Sequence, residues 1–157
     1  MAFDDPQIPP LIAAIRRSPG YLPGLSLVAE ERSSGGPALV GHVMVSGTEI
    51  EADDGSRLPI LMLSPLAVDP VRQGRGIGSA LVAAALAVAD RRLEPLMIVQ
   101  GHPGYYPRFG FVRGRSVDVL PPEHLGAIDQ AWMARRRPGA DEVRGRVVYP
   151  THFLDLE

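Results

Sequence analysis

Two apolar runs with an alanine-rich segment between them constrain this chain more than any other feature. Residues 58–68 read LPILMLSPLAV, an almost unbroken apolar stretch, and residues 96–100 read LMIVQ. Runs of this kind without alternation mark strands covered on both faces. Between them, residues 79–92 are built mainly of alanine and leucine, end on Asp90-Arg91-Arg92 and are followed by Pro95, which predicts a helix. That helix is apolar on most of its faces, so it should lie against a sheet and be largely buried. Strand, crossover helix and strand make a βαβ unit with parallel strands and a right-handed crossover. Pro65 falls inside the first run and cannot donate to a ladder, so the strand is expected to part from one neighbour near that point.

The remaining pattern extends this unit. PLIAAIRR (10–17) reads as a short helix with proline at its first position and Ser18-Pro19-Gly20 as its stop. LSLVAEE (25–31) and ALVGHVMVSGTEI (38–50) read as strands around the turn RSSGGP, and DDGSR (53–57) as a second turn. Strands are expected over VRGRSVDVL (112–120) and EVRGRVVYP (142–150), while IDQAWMARRR (128–137) fits helix or strand equally. With 157 residues the chain is read as one domain, 1–157. Its fold class is mixed α/β, with a central sheet of about six or seven strands and helices on both faces.

Composition removes several function classes. There is no cysteine, so disulfides, zinc thiolates and thiol nucleophiles are excluded. All 16 basic residues are arginine; without lysine there is neither a Walker-A phosphate loop nor Schiff-base chemistry. The net charge of −2 provides no global basic field for nucleic acid or an anionic membrane surface. No apolar run is long enough to span a bilayer, and the acidic opening MAFDDPQIPP is unlike a secretory signal; a cytoplasmic location is expected. His42, His102, His124 and His152 have no metal-ligand spacing, and no metal is expected.

The loop VRQGRGIGSA (71–80) joins the first parallel strand to the helix, with glycines at 74, 76 and 78. A helix N-terminus there offers unpaired N–H donors and the positive end of its dipole, and the missing Cβ atoms would let a phosphate approach them. A tight turn with close helix–strand packing would use the same glycines. Ser79 stands where the dinucleotide fingerprint requires a third glycine, so that reading is disfavoured.

Gln73-Gly74-Arg75-Gly76-Ile77-Gly78 resembles the Q/R-x-x-G-x-G/A motif of the GNAT superfamily of acyl-coenzyme A N-acyltransferases, and LAVDPVRQGRGIGSAL is similar to its usual strand–turn–loop–helix setting. YYPRFGF (105–111) resembles the family's F-Y-x-x-x-G-F segment, with Tyr106 four residues before Gly110. The resemblance covers roughly residues 25–111, and GHPGYYPRFGF is similar to a bacterial subgroup of predicted acetyltransferases. It implies a GNAT-like fold whose mostly antiparallel mixed sheet splays at two parallel strands. It also implies acetyl-coenzyme A as cosubstrate, with the pyrophosphate on the loop formed by Gln73, Gly74, Arg75, Gly76, Ile77, Gly78 and Ser79. The pantetheine arm would pair with the main chain of Leu66, Ala67 and Val68, and Arg72 or Arg75 would meet the ribose phosphate. Tyr106 would stand beside the sulfur as general acid.

In such a family an amine attacks the thioester directly. A main-chain N–H of Ala67 or Val68 is a candidate for polarising the carbonyl. For the base, Glu49, Glu51, Asp69, His42 and His102 are candidates; His102 ranks first among the histidines because it follows the carboxyl end of a parallel strand. The expected acceptor is a primary amine of a small molecule or peptide. The alternative is a non-catalytic domain that senses acyl-coenzyme A or docks a partner.

Family members normally open with a strand and a helix before the segment matching PLIAAIRR, so a first βα unit is expected to be missing. The strand at 25–31 would then have an open edge, expected to be covered by a second copy of the chain in a homodimer, by the N-terminal tail or by the C-terminal strand.

Overall fold

The structure, a computed structural model, describes residues 5–150. Helix α1 (Ile8–Arg16) carries Pro9 and Pro10 in its first turn, where no intrahelical N–H bond is needed. A 3-10 turn at Pro23–Leu25 leads into β1 (Ser26–Ser33), which forms an antiparallel meander with β2 (Gly36–Glu51) and β3 (Arg57–Val68). Helix α2 (Ile77–Ala89) then crosses to β4 (Leu96–Gln100), which runs parallel to β3. The βαβ reading therefore holds, with the helix starting two residues earlier than expected. Four short strands complete the fold: β5 (Val112–Arg113), β6 (Val119–Leu120), β7 (Trp132–Arg136) and β8 (Gly145–Val148).

The eight strands form one mixed sheet of order β5-β7-β4-β3-β2-β8-β6, with β1 also on β2. Most pairs are antiparallel; β3·β4 and β6·β8 are parallel. Strand β2 pairs with β1 through its first half and with β8 only at Glu49–Glu51. In the gap between them, the Gly47 amide donates to the Gly20 carbonyl at 2.8 Å. The C-terminal strand thus pairs with β2 and not with β1, whose outer edge carries no strand among the described residues; the extreme N-terminal tail lies outside them.

Period-two alternation divides the core. Val43, Val45, Leu61, Leu63, Met97 and Val99 face α2, packing with Leu81, Val82 and Ala85. Met44, Ile60, Met62, Ile98 and Trp132 point to the opposite face, with Ile15 of α1. Helices lie on both faces, as expected, and bury β3 over Ile60–Leu63 and β4 over Leu96–Val99.

Three expectations are corrected. Residues 112–120 are not one strand: β5 pairs with β7, β6 pairs with β8, and a 3-10 turn at Gly114–Val117 separates them. The buried Trp132 indole N–H donates to the Val119 carbonyl at 2.9 Å, so a tertiary contact holds this segment in its bent course. The sheet consequently has eight strands where six or seven were anticipated. The C-terminal strand is only Gly145–Val148, shorter than 142–150. Of the two readings open for 128–137, the strand applies, but only over Trp132–Arg136, which completes the far side of β4.

Arg135 on β7 ties three elements together. Its Nη1 and Nη2 donate to the two carboxylate oxygens of Asp90 at the end of α2 (2.8 and 3.0 Å), and its Nε donates to the Phe109 carbonyl at 3.0 Å. The side chain of Arg135 is 15% exposed and that of Asp90 32%. The bidentate hydrogen bonds from Arg135 hold the Asp90 carboxyl below its ordinary pKa. The stability they confer is therefore complete above the carboxylate range and lost as pH falls through the folded value. Arg135→Ala is expected to lower unfolding free energy by about 2–3 kcal/mol. Denaturant titration of the two single variants and the double variant with Asp90→Ala checks this, since the pair must be non-additive. A loss below about 1 kcal/mol would mean the clamp is an ordinary surface pair.

Candidate active site

Beyond Met62 and Ile98 the two parallel strands have no further paired residues, although β3 continues to Val68 alongside β2. The cause lies in β3: between Leu63 and Leu66 it advances three residues while β2 advances two, from Val45 to Val43. The extra residue falls at Ser64-Pro65, where Pro65 has no N–H to give a ladder. The resulting wedge is the entrance expected from the sequence, and it opens into a cleft of about 550 Å³.

One wall is the loop between β3 and α2. Asp69 accepts from the Val71 amide at 3.2 Å to start a 3-10 turn at Pro70–Arg72, and the Gln73 side chain donates to the Val68 carbonyl at 3.1 Å. Gly74 and Gly76 have φ of +77° and +81°, conformations that L-residues rarely adopt. A Cβ at either position would meet no protein atom within 4 Å; it would stand in open space. Gly76 caps α2 without any side-chain hydrogen bond, and the Ala80 amide is the first to bond back, to Gly76 at 3.0 Å. The amides of Ile77, Gly78 and Ser79 therefore precede the helical ladder, at the positive end of the helix dipole. Bare donors in such a turn form a seat for an anion.

Along β3, the Asp69 amide donates to the Val40 carbonyl at 2.8 Å. Antiparallel alternation then turns Ala67 toward β2 and the main-chain groups of Leu66 and Val68 toward the wedge. Leu66, Val68, Gln73, Gly74, Gly76, Ile77, Gly78 and Ser79 all line the cleft; Ala67 and Arg75 do not. Arg72 lines it but is ion-paired with Glu31 and, at 2.8 Å, with Asp69.

The facing wall follows β4. Gly101, His102, Tyr105, Tyr106 and Arg108 line it. The Tyr106 ring packs where a Cβ on Gly101 would sit, and T-shaped contacts join it to Tyr105 (5.1 Å) and Phe111 (5.7 Å). Burial pushes the Tyr106 phenol up to about 12. Its hydroxyl has no hydrogen-bond partner among the described residues. Tyr105 packs against Tyr106 and Phe109, and its hydroxyl lies 3.2 Å from Ser79 Oγ at the start of α2. Sequence reasoning overlooked Arg108. The signal available was its position between the paired tyrosines and Gly110, on the same side of the motif.

The base candidates are dispersed. Glu49 and Glu51 pair with Arg57 at the far end of β2, about 20 Å along the strand from Val43. Asp69 is engaged by Arg72 and the Val71 amide. His42 bonds Ser26 Oγ at 3.2 Å and does not line the cleft; burial, then Arg16, lowers its pKa. His102 does line the cleft, but its Nδ1 accepts from the Gly104 amide at 3.0 Å. In the neutral ring the proton then sits on Nε2. No Asp or Glu lines the cleft among the described residues. His152 lies outside the described residues.

The profile of the acetyltransferase (GNAT) domain matches residues 23–113, the span that holds both walls. The chain belongs to the GNAT acetyltransferase family. An uncharacterized N-acetyltransferase of Escherichia coli K12, YjhQ, is 32% identical over 101 residues, covering 64% of this chain and 53% of the relative. This GNAT chain therefore spans about half the length of that relative. Among solved structures, the Escherichia coli GNAT family N-acetyltransferase YhbS in complex with CoA has a TM-score of 0.78 at 24% identity, over 96% of this chain and 79% of that one. A Brucella melitensis GNAT family acetyltransferase in complex with acetyl-CoA gives 0.71 at 28%, over 98% and 82%. Among the described residues no helix is long and apolar enough to cross a membrane.

Proposed function

We propose that this GNAT chain is an acetyl-CoA-dependent N-acetyltransferase that acylates a primary amine of a small molecule or peptide by direct attack. The observation that carries the reading is the coincidence, on one cleft, of uncapped amides at the start of α2 with the buried phenol of Tyr106. The residues fit the cosubstrate: an anion seat, a wedge into which the Leu66 main chain and the Val68 amide turn, and a volume in the range of small-molecule sites. When bound there, acetyl-CoA would supply an acetyl group activated as a thioester.

The chain's own residues do the rest. The amides from Gly76 to Ser79, with Gln73 bracing the loop, would hold the diphosphate. The Val68 amide, turned into the wedge, is the better placed of the two carbonyl-polarising candidates, because Ala67 faces β2. Amine acylation releases one proton from nitrogen and requires one at sulfur, and Tyr106, on the cleft wall, would pass that proton. A phenol at about 12 is a weaker acid than a thiol at about 8.5. Tyr106 therefore acts as a hydrogen-bond donor and relay and does not surrender its proton ahead of the transfer. With no carboxylate on the cleft wall among the described residues and Nδ1 of His102 occupied, deprotonation of the amine falls to water.

Mixing the protein with acetyl-CoA and a panel of amines, with thiol release as readout, is expected to show release that depends on the amine. Tight cofactor binding without turnover on any amine would leave the sensing alternative. Absence of binding would remove both readings.

A further inference from the structure

Three arginines surround the anion seat, and their surroundings differ. Arg72 is neutralised by two carboxylates, Glu31 and Asp69. Arg75 is exposed and does not line the cleft. Arg108 lines the cleft on the wall facing the loop and has no carboxylate within ion-pair reach among the described residues. Its guanidinium is nonetheless fixed. Nε donates to the Tyr105 carbonyl at 2.9 Å, Nη2 donates to the Gly104 carbonyl at 3.4 Å, and the group lies 4.5 Å above the Tyr105 ring. Two neutral carbonyls and an aromatic face orient the charge without cancelling it, and Nη1 has no hydrogen-bond partner among the described residues.

We propose that Arg108 reads the 3′-phosphate on the adenosine of the cofactor, so that the cleft discriminates coenzyme A from its dephosphorylated form. The inference rests on the acetyl-CoA reading and assigns the ribose phosphate to Arg108 in place of Arg72 or Arg75. The loop amides already satisfy a diphosphate, so an uncompensated, pre-oriented guanidinium on the opposite wall matches a second, separate dianion. Arg72, held between two carboxylates, offers a phosphate little net charge.

Calorimetric affinities for coenzyme A and 3′-dephospho-coenzyme A test this without requiring an acceptor. The wild-type chain is expected to bind coenzyme A about tenfold or more tightly than the dephosphorylated form. In Arg108→Met, which retains the stem over Tyr105, the preference should fall to about unity with the dephospho affinity unchanged. Arg108→Lys should retain part of it, and Arg72→Met and Arg75→Met all of it. Equal weakening of both ligands in Arg108→Met would place Arg108 on the diphosphate and overturn the proposal, as would an unchanged preference. Failure of the wild-type chain to bind either ligand would instead defeat the acetyl-CoA reading, which separates the two failures.

Discussion

Gly76→Val is expected to abolish cofactor binding in a chain that remains folded. Gly76 has φ +81° and lines the cleft, and a side chain there would stand in open space beside the anion seat. A β-branched residue in that backbone region costs about 1–2 kcal/mol or more, against a total stability of about 5–15 kcal/mol for a domain. The loss in affinity is larger. Displacing a diphosphate from the amides of Ile77 and Gly78 forfeits two or more charge-assisted hydrogen bonds, so the Kd for coenzyme A should rise at least about 100-fold. Gly55→Val supplies the control. Gly55 has φ +83° and equally open surroundings, but it sits in the turn between β2 and β3, at the other end of the sheet from the cleft. It should show the same stability loss with unchanged affinity. Coenzyme A affinity within a few-fold of wild type in a folded Gly76→Val chain would remove the anion seat from the site.

Tyr106→Phe is expected to lower kcat about 100-fold while leaving coenzyme A affinity unchanged. The ring stays under Gly101 and against Phe111, and only the hydroxyl is lost. Burial, and secondarily Tyr105, raise the Tyr106 pKa to about 12. The native state thus holds this proton more tightly than the unfolded chain, whose tyrosines titrate near 10. Its contribution to stability is complete below about pH 10 and is lost as pH rises from about 10 toward 12. Tyr106→Phe should lack that alkaline loss, and denaturant titrations on either side of the range read the difference. In the wild type, no decline of rate with the ionisation of Tyr106 is expected below about pH 11. Unaltered kcat in Tyr106→Phe would transfer the proton at sulfur to water or to another group.

Local chemistry determined a large part of this protein. The apolar runs at 58–68 and 96–100 with the alanine-rich helix between them already imply a βαβ unit, because unalternated strands must be covered on both faces. Pro65 marked where β3 leaves β4, since a missing N–H acts within the residue that lacks it. The glycines at 74 and 76 announced a loop bare of Cβ atoms for the same reason. Contacts distant in the chain decided the rest. Residues 112–120 are bent into two strands by no local rule: the Trp132 indole N–H donates to the Val119 carbonyl at 2.9 Å. Whether 128–137 became helix or strand depended on the open side of β4. The base candidates Glu49 and Glu51 were separated from the cleft by the length of β2, a distance that residue type does not encode. Tyr105 and Arg108 entered the site because the turn after β4 faces the start of α2, and only the packed sheet brings those two ends together.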